Sequence, residues 1–208
     1  MSASHPPKTN PTPNFFSTYS VVVPVSLQTA YMMLGTAAGH GHVCRLSKLC
    51  TSFELLEMDE VSLPVPNYPE GKKLSDVGVR TAIATSSDPD AKTGSAKTLK
   101  RQHFAMELTI PIIFGFFKKK VKVVGTLTWD DSVLSPSSPA EPSFEGDSPA
   151  EALHESLSDS GGIVIWKLRT FDKVYGEPKK TRITERIEGW APSWLRSMAQ
   201  DHLVTEHQ

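Results

Sequence analysis

A period of two in the apolar residues dominates this chain from residue 51 onward. The segment 181–188 is the clearest case, because Ile183 and Ile187 share one side with Thr181 and Glu185. Such alternation is typical of a β-strand that turns one face toward a core. Together with 19–25, which is rich in β-branched residues, seven strands are predicted. Their ranges are 19–25, 51–58, 77–84, 103–113, 119–129, 162–172 and 181–188.

Helical spacing interrupts this pattern in two places. Ser26 stands where an N-cap residue belongs, and apolar residues follow at helical spacing over 27–38. Gly39 and Gly41 are expected to end this helix, before a second short one. After the last strand, Pro192 is well placed to open a long helix. Its predicted apolar side consists of Trp194, Leu195, Met198, His202 and Leu203.

The order of these elements predicts an α+β fold. Successive strands joined by hairpin-like links favour one seven-stranded, curved antiparallel sheet. Its apolar face is too large for the two short helices that follow the first strand. We therefore expect the long C-terminal helix to close the sheet, which leaves an apolar cavity between them.

Only 38% of the 208 residues are hydrophobic, which indicates that polar segments without a core interrupt this domain. Residues 1–13 are predicted as a disordered tail, and 14–208 as a single domain with disordered inserts at about 86–100 and 130–160. The second insert holds 8 of the 23 acidic residues and no Lys or Arg, which leaves a charge of +7 on the remainder. Its composition cannot offset the entropy of ordering it. Within it, 150–157 is expected to form one or two marginal helical turns.

Several classes of protein are excluded or disfavoured. The longest apolar run, 110–117, has eight residues and includes a proline, too short for a membrane-spanning helix. The N-terminus lacks the apolar stretch of a secretory signal, and two cysteines cannot form a disulfide framework. We expect a soluble, cytoplasmic protein. The common hydrolase, nucleotide-binding and zinc-protease motifs do not occur.

Three stretches carry a resemblance to a known family. They are YSVVVPVSLQTAYMMLG, HVCRLSKLC and TRITERIEGWAPSWLRSMAQDHLVTEH. Their order over residues 15–208 resembles the helix-grip fold of the START-like (SRPBCC) superfamily, which includes polyketide cyclase-like proteins. That resemblance implies a site for a hydrophobic small molecule between the sheet and the last helix. Some members are enzymes and many are carriers.

A set of apolar and polar residues is predicted to line this cavity. Glu185 shares a strand face with Ile183 and Ile187, where burial would raise its pKa and suit it to acid–base chemistry or to anchoring a ligand hydroxyl. Alternatively, Glu185 pairs with Lys167 or Arg169. The predicted ligand-binding residues are Met106, Leu108, Trp129, Trp166, Glu185, Ile187, Trp194, Met198 and His202.

Two other groups of residues suggest further sites. His40, His42 and Cys44 form an H-x-H-x-C run, but no fourth ligand is visible, so we expect no metal and no cofactor. Aromatic residues beside lysines could dock on an anionic membrane surface. This predicted docking segment contains Phe116, Phe117, Lys118, Lys119 and Lys120. No nucleic acid partner is expected, because no recognition motif is present.

Three functions remain open at this point. The first is a carrier or binding module for a hydrophobic small molecule or lipid. The second is an enzyme of polyketide cyclase/dehydrase type that uses a carboxylate or histidine in the cavity. The third is an interaction scaffold that acts through the acidic Ser/Pro-rich loop.

Overall fold

The computed structural model describes residues 11–63, 74, 97–112, 117–130, 149–159 and 162–193. Within these ranges the chain forms seven strands and two helices. In chain order they are β1 (Phe15–Val23), α1 (Leu27–Leu34), α2 (Ala37–Leu46), β2 (Cys50–Leu63), β3 (Lys97–Ile112), β4 (Phe117–Trp129), β5 (Ala150–Ser158), β6 (Val164–Val174) and β7 (Glu177–Trp190).

The strands form one curved sheet in the order β1-β7-β6-β5-β4-β3-β2, with every neighbouring pair antiparallel. The predicted α+β class and the antiparallel seven-stranded sheet are therefore confirmed. Strands β2 to β7 follow one another across the sheet, while β1 lies beside β7 at the far edge. Because α1 and α2 connect β1 to β2, they must span the sheet from one edge to the other. The predicted closing helix falls on residues 194–208, outside the described residues.

Strand β5 corrects the prediction that 130–160 is disordered. Residues 150–158 form a strand between β4 and β6, and not the helical turns expected for 150–157. Leu153 is completely buried there, and His154, Glu155 and Ser156 are also buried. The backbone N–H and C=O groups of β5 find hydrogen-bond partners on both β4 and β6. The strand therefore forms although its polar composition is typical of a loop.

The structure also shortens two other segments that were predicted to be disordered. Strand β3 begins at Lys97, so residues 97–100 of the predicted insert 86–100 are ordered. Pro13 is buried, so the predicted disordered tail over 1–13 extends too far. The predicted strand over 77–84 lies outside the described residues.

The two helices begin as their capping residues require. Ser26 caps α1, since its side-chain oxygen accepts a hydrogen bond from the Thr29 amide at 3.3 Å. Thr36 caps α2 by accepting from the Gly39 amide at 3.4 Å. The prediction that Gly39 and Gly41 end the first helix is wrong, because both lie inside α2.

Alternation along the strands creates two faces. The helix-facing face carries Leu127, Trp129, Phe171 and Ile183, which pack with α1. Tyr31 of α1 is fully buried against them, and its hydroxyl donates to the Glu151 carbonyl at 3.0 Å.

The opposite face has its own core. Trp166, Leu153 and Leu168 pack there with Val61 of edge strand β2, Leu99 of β3 and Leu74. In the described ranges, no helix has both the length and the apolar character needed to cross a membrane.

Candidate functional site

Strand register divides the predicted ligand-binding residues between the two faces. Met106, Leu108, Trp129, Glu185 and Ile187 lie on the helix-facing face, as the pairing of β3 with β4 and of β6 with β7 requires. Trp166 pairs with Glu188 and lies on the opposite face, so a cavity on the helix-facing side does not include it. Trp194, Met198 and His202 fall outside the described residues.

Glu185 is the centre of a buried charged cluster on the helix-facing face. The Arg169 Nε donates to Glu185 Oε1 at 2.6 Å, and a second guanidinium nitrogen contacts the same oxygen. Arg169 Nη1 donates to the Leu34 carbonyl at 2.6 Å and so connects the cluster to α1. Lys167 Nζ lies 3.9 Å from Glu185 Oε2. The alternative in which Glu185 pairs with Lys167 or Arg169 is therefore confirmed.

These contacts reverse the expected titration of Glu185. Burial alone would raise its pKa, but the charges of Lys167 and Arg169 and a hydrogen bond from Tyr19 outweigh burial and lower it. The predicted rise in this pKa is wrong. A carboxylate held ionised in this way accepts hydrogen bonds at neutral pH and has no proton to donate as a general acid.

A cluster of aromatic rings lies beside these charges. His40 of α2 contacts the rings of His154, Phe104 and Phe53, with centroid distances of 4.8, 5.3 and 5.9 Å. Burial, together with the charges of Lys167 and Arg169, lowers the His40 pKa to about 3 despite the opposing charge of Glu185. His40 is thus neutral at pH 7.

The H-x-H-x-C run lies on a helix, which separates its members. His40 Nε2 and Cys44 Sγ are 3.4 Å apart, one helical turn from each other, whereas His42 is exposed. Burial raises the Cys44 pKa, which keeps this thiol protonated and unreactive. Among the described residues, no three or more His, Cys, Asp or Glu side chains are placed to hold a metal ion.

Sequence reasoning did not single out His154, Phe53 or Phe104. Residues 150–158 (AEALHESLS) do alternate, with His154 on the same side as Ala150 and Ala152. This alternation indicates a strand, but the acidic, Ser-rich residues around it favoured the interpretation as a disordered loop.

The opposite face holds a different set of buried polar groups. Arg101 is fully buried, and its Nε donates to Asp59 Oδ1 at 2.8 Å. The hydrogen bond from Arg101 lowers the Asp59 pKa. Glu188 accepts a hydrogen bond from the Leu74 amide at 2.8 Å, which connects the sheet to Leu74. These contacts stabilise the sheet and hold Leu74 against it.

The predicted membrane-docking residues lie at or near the β3–β4 hairpin. Lys118 and Lys120 are exposed and Lys119 is half-buried, while Lys120 Nζ is 2.9 Å from Glu107 Oε1. Phe117 belongs to β4 and pairs with Ile112, and Phe116 lies outside the described residues. Docking on an anionic membrane stays a prediction.

No protein-family model matches this chain, and no curated protein matches it either. The likeness to START-like proteins therefore rests on the order of the elements, and membership of that family stays a prediction.

Proposed function

We propose that this protein binds a hydrophobic small molecule or lipid on the helix-facing face of its sheet. The ligand would lie between the sheet and the segment that follows β7, for which the sequence predicts a closing helix. The observation that carries this proposal is an apolar floor on β3 and β4, beyond the residues that pack with α1.

Four residues form this apolar floor. Met106 pairs with Val123, and Leu108 pairs with Val121 on the neighbouring strand. The valines are buried and the two β3 residues are half-buried. Because all four point to the same side, they present one continuous apolar surface of the kind that lines small-molecule sites.

A second apolar group lies where the chain leaves β7. Phe15, Ile187 and Ala191 form a buried cluster with Ile163 and Ile165 packed against it. Ala191 directly follows β7, so the chain leaves the sheet next to this cluster. Burial of about 300 Å² of apolar ligand surface would contribute about 7 kcal/mol before association costs.

Binding of fluorescent fatty-acid and sterol probes tests the proposal directly. We expect the purified protein to bind at least one probe, and Met106→Asp to weaken that binding at least tenfold by placing a charge on the apolar floor. Val124→Asp is the control, because Val124 is half exposed and lies on the opposite face. Circular dichroism verifies that both variants are folded.

Native mass spectrometry of protein from its own host provides an independent measurement. A co-purifying apolar molecule, lost from the Met106→Asp variant, would support the proposal. An empty protein that also binds no probe would overturn it.

A further inference from the structure

The sheet has two edge strands, and they differ in charge. Strand β1 (FFSTYSVVV) has no charged residue, whereas β2 (CTSFELLEMDEVSL) has four acidic residues, which are Glu54, Glu57, Asp59 and Glu60. Charged side chains on an edge strand hinder its outer backbone groups from pairing with another chain. The sequence of β2 provides this protection, and the sequence of β1 does not.

The two edges also differ in regularity. The register of β2 with β3 shifts at two places, one of them between Leu55 and Met58, and such bulges disrupt an edge. The register of β1 with β7 is regular along the whole of β1. In the described part of the chain, no strand pairs with the outer side of β1. Strand β1 therefore presents a regular template for one more strand.

Exposed apolar side chains accompany the backbone groups of β1. Val21 and Val22 are 46% and 45% exposed, and Phe16 is 52% exposed. Residues of these types gain from a neighbouring strand, because they pack against the side chain opposite them. The net charge of the protein is only −1 at pH 7, so no strong repulsion keeps two copies apart.

We propose that β1 pairs with β1 of a second copy, antiparallel about a two-fold axis at Tyr19. In this register Phe16 faces Val22 of the other copy, and Thr18 faces Ser20. The first pair joins an aromatic with a β-branched residue and the second joins two hydroxyl groups, and both types of pair stabilise antiparallel strands. The two seven-stranded sheets then become continuous. This interface is independent of the proposed ligand site, which lies on β3 and β4.

Sedimentation velocity of the wild type over a range of protein concentrations tests the dimer. We expect a monomer–dimer equilibrium in the micromolar range, because two nine-residue strands form a small interface. Hydrogen exchange at low and high protein concentration locates the interface without any substitution. The amides of β1 should exchange more slowly at the high concentration, while those of β2 should be unchanged.

Two double variants that differ only at residue 20 test the register. In Thr18→Glu/Ser20→Glu, like charges face each other twice, and the dissociation constant should rise at least about tenfold. In Thr18→Glu/Ser20→Lys, opposite charges face each other, so the dissociation constant should stay close to that of the wild type. Thr18 and Ser20 are both exposed, and circular dichroism verifies that the variants are folded. Ser52→Glu, at an exposed position on β2, controls for added charge at the other edge.

Each measurement has an outcome that contradicts the proposal. A wild type that stays monomeric at its highest soluble concentration would overturn it. A dimer of equal stability in both double variants, or one whose β1 amides exchange at the same rate at both concentrations, would show that the copies meet elsewhere. Loss of the dimer from Thr18→Glu/Ser20→Lys as well would refute the antiparallel register.

Discussion

Two glycines, which have no side chain, allow neighbouring elements of this protein to approach each other closely. A Cβ atom at Gly39 would lie 2.0 Å from the carbonyl oxygen of Met33, at the C-terminal end of α1. At Gly189 of β7, it would lie 2.0 Å from the ring of Phe15 on β1. Phe15 can turn away from a new methyl group, whereas the carbonyl of Met33 is held in the backbone of α1. Gly39 is therefore the more demanding of the two positions.

Replacing Gly39 with alanine tests this packing. In an open helix the change stabilises by about 1 kcal/mol, but here we expect a loss of about 3 kcal/mol because α2 must move away from α1. Urea denaturation monitored by circular dichroism measures the effect. Ala38→Ser, at an exposed neighbour in α2, should change the free energy of unfolding by less than about 0.5 kcal/mol. A more stable Gly39→Ala variant would contradict the close contact.

At the scale of elements, β5 joins the two halves of the sheet. It pairs with β4 on one side and β6 on the other, and its residues contribute to both cores. Ala150 and Ala152 belong to the core under α1, and Leu153 belongs to the core of the opposite face. A strand in this position is part of the folding unit and not part of an insert.

Truncation of Leu153 measures how much this strand contributes. We expect Leu153→Ala to lower the free energy of unfolding by about 3 kcal/mol, since a fully buried leucine leaves a cavity. Leu55→Ala is the matched control on edge strand β2, where Leu55 is 43% exposed, and it should cost less than about 1 kcal/mol. Similar losses for both variants would mean that β5 is not part of the core.

At the scale of the whole molecule, six of the seven strands were predictable because their apolar residues alternate or are rich in β-branched types. The alternation in β5 was hidden by its acidic, Ser-rich surroundings. The position of Glu185 on a buried face also followed from alternation alone. Its low pKa did not, because that depends on β6 presenting Arg169 beside it, and pairing partners are set by the fold. Trp166 was grouped with the wrong residues for the same reason, since periodicity within one strand does not tell which face of the next strand adjoins it.

Acid stability of the entire fold depends on His40. Its pKa is about 3 in the folded protein and about 6.5 when unfolded, so the unfolded chain takes up a proton that the folded chain does not. The stabilisation that results from keeping His40 neutral is fully present above pH 6.5. It is lost as the pH falls toward 3, by at most about 1.4 kcal/mol per pH unit. Glu185, with its lowered pKa, adds a loss of the same sign only below its ordinary value of 4.5.

Urea denaturation of the wild type and of His40→Gln at several pH values between 7 and 4.5 isolates the histidine. Both proteins should lose stability on acidification, but the variant should lose less, so the difference between them shrinks as the pH falls. His42→Gln, exposed in the same helix, should follow the wild type at every pH. A difference between wild type and His40→Gln that stays constant would mean that His40 takes up its proton without unfolding, and that α2 does not shield it from solvent.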